Sequence, residues 1–307
     1  MHTLAGEGSA ELILPGLAMG APEPPSPAEL SAALEAADLV VVENLCSLPL
    51  NQPACELVAR QLRSRQAVLH HHDLAWQRPA LAHLGPPPHD PAWVHVTINE
   101  LSRRQLAQAG IPATTIYNCF DTRAPRGERA ATRRALGLSE DERVLLQPTR
   151  AIPRKNIPGA LRLAEAVGAT YWLLGPAEEG YGPELARLVR EAKTRVVLGS
   201  EVKVADAYAA CDAVVLASTW EGFGNPAIES AIHERMLAVG DYPVAAELAS
   251  FGFEWIPASD PERLAAWLAR PDASVLEHNL EVARRSFDLS LLPGRLEAAF
   301  KAAGWSW

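Results

Sequence analysis

The stretch "WEGFGNPAIE", Trp220 to Glu229, sets two carboxylates eight residues apart around two glycines, an asparagine and a proline. It follows the apolar run Ala213–Ala217, which reads as a strand, and it opens Pro226–Arg235, which reads as a helix. A loop in that position lies at the carboxyl edge of a parallel sheet, where open α/β sheets take their ligands. Asn225 reads as the helix cap and Pro226 as the first helical residue, so backbone N–H groups and the positive end of the helix dipole gather there. Gly222 and Gly224 leave no Cβ between backbone and ligand. Together these features describe a seat for an anion such as phosphate.

The same strand and helix alternation extends outward in both directions. Downstream of residue 123 the strands are Val144–Pro148, Tyr171–Leu174, Val196–Leu198, Ala213–Ala217 and Leu237–Val239, with Phe253–Ile256 as a further segment. Helices are expected at Ile157–Val167, Pro183–Lys193, Val204–Ala210, Pro226–Arg235, Val244–Ser250 and Pro261–Ala269. Upstream, strands Leu39–Glu43, Ala67–His71, Val94–Ile98 and Thr114–Tyr117 are separated by helices near Pro53–Arg63 and Glu100–Ala109. Two such series predict an α/β protein of two facing, doubly wound, Rossmann-like domains. The divisions expected are 1–122, 123–285 and a terminal helical segment 286–307. The first domain reads as shortened, because "MHTLAGEGSAELILPGLAMG" leads into a proline-rich segment instead of a buried strand and glycine-rich turn.

The chain has 307 residues, 48% of them apolar, enough for two cores, and its 25 prolines are dispersed as stiff loops. A formal charge of −9 argues against a nucleic-acid coat, so an anionic ligand must meet a local basic cluster. Cys46, Cys55, Cys119 and Cys211 form no CxxC pair and follow no signal peptide, which predicts reduced thiols in a cytoplasmic protein. No apolar run reaches the roughly 20 residues of a membrane span. The arginine-rich Arg123–Arg134 reads as a solvated helix face, with peripheral contact to an anionic membrane the less favoured reading.

Glu229 alone would do no more than steady a helix N-terminus, but Glu221 has no capping task. Two carboxylates beside an anion seat suit a polyhydroxylated ligand, each accepting hydrogen bonds from hydroxyls while amides take phosphate. "QPTRAIPRKN", Gln147 to Asn156, brings Arg150 and Lys155 to the same sheet edge, ahead of a helix capped by Asn156. In isolation they would be two solvated cations; beside the carboxylates they fit a sugar joined to a nucleoside diphosphate. Gly175, just past strand Tyr171–Leu174, belongs to that edge as well.

In the first domain "LHHHDLAW" ends a strand, and His70 and His72 share a face, but no third ligand follows at metal-site spacing, so no metal is assigned. His72 is taken to face the ligand cleft, with Asp73 and Glu43 as further candidates at these strand ends. A rival reading takes "GFGNPA", Gly222 to Ala227, with Asp241, as a dinucleotide fingerprint of a nicotinamide-dependent oxidoreductase. Trp220 and Glu221 lengthen its turn, and Pro226 replaces a closely packing residue.

These residues resemble the retaining GT-B glycosyltransferases of family 4, the group 1 glycosyltransferases. Its E-x7-E element is matched by Glu221 to Glu229, its arginine and lysine five apart by Arg150 and Lys155, and its strand-end His-Asp by His72 and Asp73. "YNCFD", Tyr117 to Asp121, is similar to the family's interdomain element with Cys119 in place of glycine, and "NLEVARRSFDLSLLPGRLEAAF" to its terminal helices. The family's N-terminal glycine-rich loop has no clear counterpart. The resemblance implies that Glu229 binds ribose and that Glu221, with the amides of Gly222, Phe223 and Gly224, holds the donor sugar. It implies Arg150 and Lys155 on the diphosphate, without a metal, His72 beside the donor sugar, and Asp73 and Glu43 on the acceptor side. No cofactor is implied beyond a donor substrate such as UDP-glucose or GDP-mannose. The acceptor, a sugar, lipid or small metabolite, is left open. A nucleotide-sugar-binding protein without turnover is the alternative.

Overall fold

A computed structural model describes residues 2–199 and 201–305. The chain divides into two compact units, Met1–Tyr117 with Pro293–Trp307, and Asn118–Leu292.

The first unit opens with a short parallel pair, β1 (Leu4–Ala5) and β2 (Leu12–Ile13). Helix α1 (Pro27–Leu34) follows, then β3 (Val40–Glu43), α2 (Gln52–Gln61), β4 (Ala67–His71), β5 (Trp93–Thr97), α3 (Glu100–Gln108) and β6 (Ala113–Thr115). The sequence reading passed over α1 as part of a proline-rich segment. Its signal was present: Ser26 and Glu29 form a reciprocal capping box, with Pro27 in the first turn. The four strands are parallel and lie in sequence order, β3-β4-β5-β6. This sheet therefore has no reversal of strand order among the described residues, and the expected double winding is absent from it. Leu30, Val42, Leu57, Val58, Leu62 and Leu69 form its core.

The second unit runs α4 (Arg129–Ala135), β7 (Val144–Gln147), α5 (Ile157–Ala166), β8 (Thr170–Leu173), α6 (Gly182–Glu191), β9 (Val196–Leu198), α7 (Val204–Ala210) and β10 (Ala213–Leu216). It continues with α8 (Asn225–Ile232), β11 (Met236–Val239), α9 (Pro243–Ala249), β12 (Ile256–Pro257), α10 (Pro261–Ala269) and α11 (Ala273–Phe287); α12 (Leu292–Ala302) closes the chain. Its six parallel strands are ordered β12-β11-β10-β7-β8-β9. The order reverses between β7 and β10, the switch point at which doubly wound sheets bind ligands. Every residue of β7, β8 and β10 is buried, as strands covered on both faces require. Helix α5 lays Ile157, Ala160, Leu161 and Ala164 on one face of this sheet; Leu264 of α10 joins the same core.

The arginine-rich segment is not a solvated face throughout. Arg133 is fully buried, giving its Nε to the Ala210 carbonyl, one terminal nitrogen to the carbonyls of Ser139, Glu140 and Glu142, and the other to Asp212 at 2.8 Å. Arg129 donates to the Ala209 and Cys211 carbonyls and to Asp212. Both arginines clamp α4 to the start of β10 by satisfying carbonyls that α7 leaves open at its end. All four cysteines are free thiols. No helix of the described residues is long and apolar enough to cross a membrane.

Candidate functional site

The two loops singled out from the sequence follow β7 and β10, the strands flanking the switch point. Glu221, 4% exposed, joins them: its Oε1 accepts from Lys155 Nζ at 2.5 Å and from Ser218 Oγ at 2.5 Å, and its Oε2 from Arg154 at 2.6 Å. Arg154 also donates to the Trp220 carbonyl at 3.0 Å. Burial lowers the pKa of Lys155, with Arg154 and Arg150 adding to the effect and Glu221 opposing it. Arg154 was not singled out from the sequence, where nothing but its neighbour Lys155 marks it. Gln147, ending β7, donates to the Lys155 carbonyl at 3.0 Å and accepts from the buried Tyr171 hydroxyl at 2.6 Å, which fixes the root of the loop.

Arg150 lies apart from this cluster. It is half exposed and pairs with Glu178 at 2.6 Å, so a ligand phosphate can take its guanidinium without opening a buried pair. Gly175 lies where the loops after β7 and β8 touch. A Cβ there would meet the Thr149 carbonyl oxygen at 2.7 Å and the Arg150 nitrogen at 2.8 Å, so only glycine lets Arg150 sit at this edge.

Asn156 caps α5 as expected, its side chain accepting from Gly159 N at 3.1 Å. Asn225 does not cap α8. Gly224, at φ +86°, takes the cap position, a left-handed backbone that suits glycine, and Asn225 enters the first turn. Its side-chain oxygen accepts from Asn118 at 2.9 Å, tying the loop to the "YNCFD" segment. The same segment accepts and donates backbone hydrogen bonds with Phe287 and Leu289 through Phe120, and the rings of Phe120 and Phe287 flank the buried Phe223 at 6.2 and 6.1 Å. Phe223 thus anchors the loop while Gly222 and Gly224 shape it.

Glu229 lies beyond the first turn of α8, so the helix-dipole explanation loses its position. It is partly buried and its Oε2 accepts from Tyr208 at 2.7 Å. Burial raises its pKa and the Tyr208 hydrogen bond only partly opposes that. Another residue absent from the sequence reading is Tyr242. Its hydroxyl is buried without a protein partner among the described residues, 3.0 Å from where a Gly224 Cβ would stand. A cavity of about 880 Å³ opens between α5, α9 and the stretch 253–261, including Arg162, Asp241 and Trp255. It contains none of Arg150, Lys155, Glu221 or Glu229, so chemistry and not volume locates the candidate site.

In the first unit, Glu43, His70 and His72 come together. Register pairs Glu43 with His70 across β3 and β4, and Glu43 Oε2 lies 2.8 Å from His70 Nδ1 and 2.8 Å from His72 Nε2. Burial works against ionisation of Glu43, but hydrogen bonds from both imidazoles hold its pKa down to about 2. Asn44, in the left-handed region at φ +58°, accepts from the backbone nitrogens of His72 and Asp73 at 3.0 and 3.1 Å and so fixes both strand ends. Asp73 accepts from Arg78 at 2.9 Å. Behind this edge, His71, His95 and His89 form a hydrogen-bonded row, at 2.9 and 3.0 Å, whose two buried members are kept neutral chiefly by burial.

Residues 154–270 match the family model "Glycosyl transferases group 1". The chain is 26% identical over 318 residues, 89% of its own length and 73% of the relative's, to the mannosylglucosylglycerate synthase of Thermotoga maritima. Its fold is similar to that of Anabaena HepE, solved in complex with UDP-glucose, with a TM-score of 0.71 at 20% identity, covering 90% of this chain and 82% of that one. It is similar as well to sucrose-phosphate synthase from Thermosynechococcus elongatus, with a TM-score of 0.66 at 19% identity over 90% of this chain and 77% of that one. The oxidoreductase reading of "GFGNPA" yields to these findings. Residues 154–270 form a group 1 glycosyltransferase domain, and the chain that carries it is a glycosyltransferase of GT-B fold.

Proposed function

We propose that this glycosyltransferase moves a hexose from a nucleoside diphosphate sugar to a hydroxyl acceptor with retention of anomeric configuration. The observation that carries the reading is the meeting of Lys155 and Glu221, from the loops after β7 and β10, at the switch point of the second sheet. In this reading the 123–285 domain holds the donor, the 1–122 domain serves the acceptor, and segment 286–307 belongs with the latter.

Glu229 accepts hydrogen bonds from the ribose hydroxyls. Glu221, held in place by Lys155, Arg154 and Ser218, orients the sugar together with the amides of Gly222, Phe223 and Gly224 and the edge formed by Asn225 and Gly175. Arg150 and Lys155 neutralise the diphosphate as the glycosidic bond breaks, which is electrostatic stabilisation of a leaving group by fixed charge and assigns no metal to it. The acceptor hydroxyl attacks from the face the diphosphate leaves, and its proton passes to the departing phosphate oxygen. His72 is assigned to the donor sugar, and Asp73 and Glu43 to the acceptor side.

The test is a panel of UDP, GDP and ADP sugars, with transfer to candidate sugar, lipid and small-metabolite acceptors followed by proton NMR. Retention at the anomeric carbon, persisting in a chelator and lost in Glu229→Ala, is the expected result. Inversion, or dependence of donor cleavage on added Mg²⁺, overturns the mechanism. Stabilisation by nucleotide sugars without transfer or hydrolysis would leave a binding protein instead.

A further inference from the structure

We propose that Glu43, His70 and His72 form a binding site for a divalent transition-metal ion, Zn²⁺ or one of similar preference, at the carboxyl edge of the first sheet. The sequence offers two histidines and no third ligand at suitable spacing. The parallel register supplies the third, because Glu43 ends β3 directly beside His70 on β4. One ligand atom from each residue lies within 4.8 Å of the others, and the shared Glu43 oxygen lies 2.8 Å from both ring nitrogens.

Two imidazole nitrogens and one carboxylate oxygen are a ligand set that zinc accepts, at metal–ligand distances of about 2.1 Å. Tetrahedral ligands at that distance are separated by about 3.4 Å, so binding asks the 2.8 Å contacts to open slightly around the ion. Each ring would turn over its proton to the other nitrogen, and a neutral imidazole needs to lose none. The ion then replaces two shared protons, and the carboxylate already present as an anion offsets its charge.

The geometry is held from behind. Asn44 fixes the backbone of His72 and Asp73 through one side-chain oxygen, and Ser47 donates to that oxygen at 3.0 Å. Asp73 is engaged by Arg78 and does not compete for the ion. On the outer side the site is open, with His72 and Glu43 side chains 41% and 59% exposed. Three protein ligands leave a coordination position for an oxygen of a small ligand, a carboxylate or a hydroxyl. The site shares His72 and Glu43 with the proposed function but neither the E-x7-E loop nor Arg150, and its test reads metal uptake, not transfer, so the two can fail separately.

The test uses the full chain, stripped with chelator and thiol-alkylated to silence its cysteines. Zn²⁺ is titrated against a chromogenic chelator, and Co²⁺ is followed by its visible d–d absorption. One ion per chain with Co²⁺ bands of tetrahedral intensity is expected. His72→Ala and Glu43→Gln, both at exposed side chains, should each weaken binding by at least about tenfold, as loss of ligands does when loss of supporting partners already costs about 10–100-fold. His2→Ala, at the separate exposed His2–Glu11 pair, should leave it unchanged. Absence of saturable uptake, or uptake untouched by both His72→Ala and Glu43→Gln, overturns the site and leaves a hydrogen-bonded cluster.

Discussion

Lys155 Nζ and Glu221 Oε1 lie 2.5 Å apart with both side chains buried, and this contact, with that of Arg154 to the same carboxylate, joins the two loops on either side of the switch point. Arg150, five residues before Lys155, makes its ion pair in the open with Glu178. The two cations of the family motif therefore stand in different dielectric surroundings, and their substitutions should separate stability from catalysis.

Removing Glu221 leaves Lys155 as an uncompensated buried charge. Glu221→Ala should cost about 3–5 kcal/mol of unfolding free energy, measured by urea titration. Arg150→Ala removes an exposed pair worth about 0–1 kcal/mol. It should leave the urea midpoint nearly unchanged while transfer falls by about 100-fold or more, as for loss of a group that stabilises developing charge. Equal loss of stability in the two variants would show that the difference in burial does not govern them.

Glu229 carries a pH signature. Burial lifts its folded-state pKa above the unfolded value, with Tyr208 opposing, so the folded chain holds the proton more firmly than the unfolded one. Its contribution to stability is therefore lost as pH rises from the ordinary carboxyl range through the raised value, and Glu229→Gln should raise the melting temperature at neutral pH. The same substitution should weaken donor binding, because an amide accepts fewer hydrogen bonds from ribose. Tyr208→Phe removes the opposing hydrogen bond and should move the pH midpoint of donor binding upward; a downward movement would contradict the assignment.

Gly175→Ala tests the seat of Arg150. The new methyl would press on the Thr149 carbonyl and the Arg150 nitrogen at 2.7 and 2.8 Å, both backbone atoms that yield only by moving the loop. Overpacking of this kind costs about 1–3 kcal/mol. Donor turnover should fall further than the melting temperature alone explains. Calorimetry of the donor diphosphate against the variant would separate a displaced Arg150 from a partly unfolded chain.

Arg133→Lys should behave as a core defect, not as a surface change. The buried guanidinium serves four carbonyls and Asp212, which an ammonium with three donors cannot match. A loss of about 3 kcal/mol or more is expected, whereas Arg134→Lys, exposed on the same helix, should fall within about 0.5 kcal/mol of the parent.

The order of strands and helices was legible because each element carries its own period. The continuous apolar runs of β7, β8 and β10 and the amphipathic α5 needed no partner to be recognised. The E-x7-E loop and its companion Arg150 to Lys155 were legible for the same reason, since their spacing is local. Helix α1 was missed although its capping box was in view, because the surrounding prolines suggested a loop.

The sequence by itself determined the α/β class, the positions of most elements and the residue types at the switch point, all of which depend on neighbours within a few positions along the chain. Tertiary structure decided which groups pair across long separations. It put Arg154 on Glu221, Tyr208 on Glu229 and Asn118 on Asn225, and so moved the helix cap to Gly224. It placed Glu43 beside His70 and His72, where strand register, invisible to local spacing, turned two histidines into a three-ligand set. The physical reason is that a hydrogen bond or ion pair is set by distance in space, while sequence patterns report only the distance along the chain.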